Sequence, residues 1–151
     1  MHFNSILKNP RRAKDRFEIL EQEVRRFCLK NRVQLIYVFG SCAGGQAGPL
    51  SDLDLAYLAE KEISWEEEAR ILNELIDIFR EEAIDLVNLK KAPLTLVHRI
   101  LKEGKCLYAS SPQARIDFET KKEAEYYDTA PLRKEYFDKM LEKLQDGTFW
   151  H

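Results

Sequence analysis

Two aspartates one residue apart, Asp52 and Asp54, follow the pair Gly40-Ser41 at a spacing of ten intervening residues. Asp52-Leu53-Asp54 opens an apolar run that continues to Leu58, and in an extended strand successive side chains alternate between the two faces. Asp52 and Asp54 therefore share one face, while Leu53, Leu55 and Tyr57 share the other. Like charges so close repel one another, and a cation between them removes the penalty. Mg²⁺ takes oxygen ligands, commonly one or two carboxylates with water and substrate phosphates. Gly40 lets the backbone approach a polyphosphate closely, and the Ser41 hydroxyl with nearby N–H groups can bind its oxygens. The residue types thus describe a place where a divalent metal meets a phosphate. Taken alone, the two aspartates fit equally a loop cap or the polar start of a strand. The combination is narrower: at average usage of about 5–7% per residue, it arises by chance in roughly a few chains per thousand of this length.

The elements that must position these residues flank them. Val33–Phe39, apolar apart from Gln34 and rich in β-branched and aromatic residues, reads as a strand. Gly44, Gly45, Gly48 and Pro49 bar a long regular element between Ser41 and Ser51. Upstream, Phe17, Leu20, Val24 and Phe27 step by three and four, which predicts an amphipathic helix over 13–31, with Pro10 ending any earlier one. Downstream, Ser64 and Glu67 form a capping-box pattern for a helix from Trp65 to about Glu82. Its buried stripe is expected at Trp65, Leu72, Leu75, Ile76 and Phe79. A third strand is expected over 83–89, where Asp85 shares a face with Val87 and Leu89. A carboxylate in that company is either a salt-bridged core residue or a third member of the Asp52–Asp54 group.

Pro93 and Gly104 bracket a short helix, on which His98 lies beside the apolar face and reads as structural. Residues 105–109 resemble a short edge strand. Ser111-Pro112 starts a helix to about Asp128, interrupted at Pro131, resumed through Leu144 and stopped by Gly147. The aromatic and aliphatic residues of this tail are expected to divide between packing on the domain and forming a partner surface. The order of elements predicts one α/β domain over 1–151, with a core over 33–108 and a helical C-terminal segment over 111–145. Its expected architecture is a small mixed β-sheet with helices mainly on one face.

Composition narrows the function. The 151 residues are 44% hydrophobic and 33% charged, as in a globular chain. A net charge of −2 and a pI near 6.0 give no global basic field, so direct nucleic-acid binding is not expected. Cys28, Cys42 and Cys106 are scattered and odd in number, which suits free thiols in a reducing compartment. No apolar run approaches the ~18 residues of a membrane span, and no signal segment opens the chain, so a cytoplasmic protein is expected.

Gly40-Ser41, ten residues and Asp52-x-Asp54 resemble the signature of the polymerase-β-type nucleotidyltransferase superfamily. The likeness extends through Asp85 in AIDLVNL and the following APLTLVHRILKEGKCLY, covering roughly residues 33–108. The short length resembles its minimal branch, the MNT-type antitoxins that act beside HEPN-domain toxins. One departure is visible: many minimal members carry an arginine shortly after the Gly-Ser pair, where this chain has Cys42-Ala43-Gly44-Gly45. The resemblance implies transfer of AMP from ATP, with Mg²⁺, to a hydroxyl. Asp52, Asp54 and Asp85 would be the catalytic, metal-binding residues, and Gly40 and Ser41 the nucleotide-binding ones. It implies a tyrosine of a HEPN-type ribonuclease toxin as acceptor. Two alternatives stand beside it: transfer to a small molecule such as an aminoglycoside, and a non-catalytic partner-binding subunit.

Overall fold

The structure, a computed structural model, describes residues 10–40 and 53–147. Helix α1 (Pro10–Asn31) leads into strand β1 (Val33–Phe39), and β2 is Leu53–Ala59. Then follow α2 (Trp65–Phe79), β3 (Ile84–Asn88), α3 (Leu94–Glu103), β4 (Lys105–Ala109), α4 (Pro112–Asp128) and α5 (Ala130–Gln145). The sheet order is β3-β2-β1-β4. β1 pairs antiparallel with both β2 and β4, whereas β2 and β3 are parallel. A parallel neighbour needs a crossover rather than a tight turn, and α2 supplies it. The sheet is therefore mixed and the fold α/β, as expected.

The distribution of helices corrects the expectation that they lie mainly on one face. β1 and β2 are buried on both sides, so each face needs a cover. On one, Leu20, Val24 and Phe27 of α1 and Ile71, Leu75 and Phe79 of α2 pack against Val38, Leu55 and Tyr57. On the other, Val97 and Ile100 of α3, with Phe118 of α4, pack on Leu35, Tyr37, Ala56 and Leu58. An irregularity at Gln34 serves this division, because Val33 opposes Ala59 and Leu35 opposes Leu58. One extra residue on β1 moves the later side chains to the opposite face.

Two helix boundaries and one stripe also differ from expectation. Helix α1 begins at Pro10 rather than Ala13; at the first turn proline's missing N–H costs nothing. In α2, Ser64 Oγ accepts the Glu67 N–H at 3.2 Å, as the capping pattern requires. The helix ends at Phe79, with Arg80 left-handed at φ 53°, before Glu82 is reached. Its buried residues are Ile71, Leu75 and Phe79, and Trp65 is 75% exposed. At about 100° per residue, Ile71 and Phe79 lie roughly 40° either side of Leu75, while Trp65 lies roughly 80° away. Burial of these three side chains contributes about 1.5–3 kcal/mol apiece. Phe17 falls outside the described side chains.

Candidate active site

The end of β1 and the starts of β2 and β3 meet at one edge of the sheet. Phe39 pairs with Asp54, and Asp54 pairs across the parallel ladder with Asp85. Leu53 N–H donates to Ala83 O at 3.0 Å and closes that end. Opposed residues on neighbouring strands point to the same face, so the two carboxylates stand side by side. Asp54 is half-buried and Asp85 exposed, which removes the alternative of a salt-bridged core residue for Asp85. Asp54 and Asp85, the second residues of β2 and β3, stand outside the two packed cores, whereas Leu53 beside them is fully buried, and it is at the carboxylates that a ligand can approach.

Gly40 holds φ +71°, and a Cβ placed on it would overlap Oδ2 of Asp54 and lie 3.2 Å from its Cγ. Glycine is thus required twice, by backbone conformation and by the carboxylate that lies against the turn. A second glycine shapes the same edge. A Cβ on Gly104 would stand 2.5 Å from Ile100 O and 2.9 Å from Val38 O, so its absence lets the α3–β4 junction close on the end of β1. Ser41 and Asp52 lie outside the described residues, as do Cys42 and Gly44.

One further network was not legible in the sequence. Tyr37, two residues before Phe39, donates its hydroxyl to Glu119 Oε1 at 2.7 Å, and Arg115 Nε donates to the same oxygen at 2.9 Å. Burial, and then the bond to Glu119, push the Tyr37 hydroxyl well above its ordinary pKa. This network fastens α4 to the strand that leads into Gly40; its partners are too far apart in sequence for any spacing rule to connect them. His98 Nδ1 lies 2.9 Å from Glu123 Oε1, and its ring stacks on Tyr126 at 3.6 Å. It joins α3 to α4, in keeping with a structural role. Of the basic groups, Arg99 pairs with Glu103 at 3.3 Å, and Lys90 and Lys91 are exposed.

What the edge can do follows from its donors. Adjacent carboxylate oxygens fit a hard divalent cation such as Mg²⁺. Among the described residues no group of three His, Cys, Asp or Glu side chains is gathered; the pair Asp54–Asp85 is what they provide. An acidic pair beside a glycine, at one end of a mixed sheet, is a donor set that a phosphate-bound divalent cation would fit.

The sequence family described as polymerase beta, nucleotidyltransferase matches residues 22–113. The chain belongs to this nucleotidyltransferase family. It is 31% identical over 83 residues to the protein adenylyltransferase MntA of Shewanella oneidensis, an alignment covering 52% of this chain and 56% of that protein. The chain thus spans little more than half the length of that relative. Among solved structures, a toxin–antitoxin with AMP-PNP has a similar chain with a TM-score of 0.68 and 25% identity, over 80% of this chain and 98% of that one. A complex of a tri-AMPylated Shewanella oneidensis HEPN toxin with its MNT antitoxin contains a chain of the same fold, with a TM-score of 0.65 and 24% identity over 83% and 98%. No helix among the described residues is long and apolar enough to cross a membrane.

Proposed function

We propose that this protein is the antitoxin of a toxin–antitoxin pair and moves AMP from ATP to a protein hydroxyl, a tyrosine of a HEPN-type ribonuclease toxin. The observation that carries this reading is the register that sets Asp54 beside Asp85, with Gly40 against the Asp54 carboxylate. Support comes from the adenylyltransferase that the chain resembles and from the ATP analogue bound in a similar complex. Asp54 and Asp85, with Asp52, would hold Mg²⁺, which when bound would neutralise charge on the triphosphate. Gly40 and Ser41 offer their N–H groups and the serine hydroxyl to the β- and γ-phosphates, which leaves the α-phosphorus facing the acceptor. Asp85, the more exposed carboxylate, takes the proton from the incoming hydroxyl. That oxygen forms the new bond to the α-phosphorus, and pyrophosphate leaves with the electrons of the broken bond. Most of the acceleration in such a reaction is positioning.

The experiment is incubation of the chain with ATP, Mg²⁺ and the HEPN-type protein encoded beside it, followed by intact-mass spectrometry of that protein. AMP addition to a tyrosine, lost in Asp52→Ala/Asp54→Ala, is the expected result. An unmodified partner neutralised by stoichiometric binding alone would replace this reading with that of a non-catalytic subunit.

A further inference from the structure

Helix α5 has 16 residues and buries none of them. Leu132 is 67%, Tyr136 73% and Phe137 53% exposed, and Leu141 and Leu144 are exposed as well. An isolated helix of about this length is marginal in water, and one with so much apolar surface is the kind that another protein covers. At 100° per residue, these side chains and Met140 fall on one side of the helix. Lys139 and Lys143 run along one margin of that stripe and Lys134 along the other, while Glu135, Asp138 and Glu142 gather on the opposite face. Between the stripe and the start of α3 lies a groove of about 670 Å³, lined in part by Thr95, Leu132, Tyr136, Phe137 and Met140.

The helix is held in a definite direction. The Arg133 guanidinium lies 3.8 Å over the Tyr126 ring, and His98 stacks on the same ring at 3.6 Å. A planar ring so close to both must have one on each face, so α3, α4 and α5 contribute one layer each. Arg133 also donates to Tyr126 O and to Thr129 Oγ1, both at 2.5 Å. The apolar stripe is thus presented by a built joint.

We infer that this stripe is the docking surface for the protein acceptor, and that its occupant is a helix whose apolar ridge is bordered by carboxylates. The inference rests on the adenylyl-transfer reading, which requires a protein acceptor. Charge selects this occupant over a second copy of the chain. Antiparallel pairing of two α5 helices sets each lysine margin against itself, and parallel pairing sets one lysine margin against the other. Acidic borders instead complement both margins and guide the partner into register. A polypeptide acceptor docked on α5 is held by contacts that take no part in the chemistry.

The test uses the full chain, its Tyr136→Ser/Phe137→Ser variant and its Lys134→Glu/Lys143→Glu variant, with the HEPN-type protein encoded beside it as probe. Binding is measured by calorimetry, AMP addition by intact mass, and ATP affinity serves as the control for an intact site. Both variants should bind the probe at least tenfold more weakly and raise its KM. They should leave kcat at saturating probe, and ATP affinity, within twofold. Wild-type affinity in both variants overturns the inference while leaving the proposed function standing. Loss in the apolar variant alone overturns the carboxylate-bordered occupant. A wild-type dimer dissolved by Tyr136→Ser/Phe137→Ser would name a second copy instead and overturn it too. If the wild-type chain binds the probe tightly, loses it in both variants and transfers no AMP, the docking surface is upheld and the catalytic reading falls.

Discussion

Replacing Gly40 by alanine would test whether the turn and the carboxylate form one unit. Gly40 holds φ +71°, where a side chain costs an L-residue about 1–2 kcal/mol. The new Cβ would also overlap Oδ2 of Asp54. That oxygen ends a side chain, so relief comes by turning Asp54 away from its rotamer, at roughly 0.5–1.5 kcal/mol. Together the two effects amount to about 1.5–3.5 kcal/mol. For a chain of this size that corresponds to a fall in Tm of about 3–14 °C. The terms separate in a double-mutant cycle. Asp54→Ala removes the overlapping atoms and leaves its Cβ 3.5 Å from the new methyl, an ordinary contact. Gly40→Ala should therefore cost about 0.5–1.5 kcal/mol less in the Asp54→Ala background, read from urea midpoints at constant m. In the wild-type background, AMP transfer should be lost, because the carboxylate is displaced from the edge it serves. Additive costs, or a Gly40→Ala protein of wild-type stability and full activity, would refute the argument.

The other substitutions probe separate parts of the chain. Asp54→Asn should abolish transfer while leaving stability unchanged or slightly higher, since it removes a charge adjacent to Asp85. Asp85→Asn should lower kcat more than ATP affinity; the reverse pattern would show the proton-accepting role to be misassigned. Stability should fall at alkaline pH. Burial raises Cys28 and Tyr37 from their ordinary values of 9.0 and 10.0. The neutral forms are therefore favoured in the folded chain, and the unfolded chain loses those protons first. Stability is full below about pH 9 and declines above it by up to about 1.4 kcal/mol per pH unit for each group. Urea midpoints from pH 8 to 11 check this, and Cys28→Ala should make the decline between pH 9 and 10 shallower, leaving there the contribution of Cys106, whose thiol is also raised by burial. Finally, His98→Ala removes the stack on Tyr126 and the bond to Glu123 and should cost about 1–2 kcal/mol; a thermal melt unchanged from wild type would contradict it.

Local rules served the fold well where one residue's type controls an element. Ser64, Ser111 and Gly147 mark helix ends in the structure as they do in the sequence, because capping and left-handed turns depend on a single side chain. The buried stripe of α2 was misjudged because several apolar residues compete and only the sheet's position chooses among them. The sharing of helices between faces was missed for a related reason. A strand apolar on both sides announces two covers without saying which helix goes where, and the irregularity at Gln34 shifts the alternation within β1.

The site shows the same division between type and register. Gly40 and Asp54 were identifiable because glycine and a strand-leading aspartate are each needed for what they are, and the structure brings them into contact. Asp85 was ambiguous because its neighbours Val87 and Leu89 argue for a core, and alternation alone cannot tell how far along a strand the helical cover extends. The parallel register resolves its place: Asp85 opposes Asp54 at the second residue of each strand, and it is exposed where Leu89 is fully buried. The same strand therefore serves two environments. Its start carries charge into solvent, and its end carries apolar side chains under α3. A two-residue slip of β3 against β2 would preserve the facing of every side chain and still pull Asp85 away from Asp54. What keeps the carboxylates together is consequently the set of bonds that fix this register, Leu53 N–H to Ala83 O at one end and Leu89 N–H to Tyr57 O at the other.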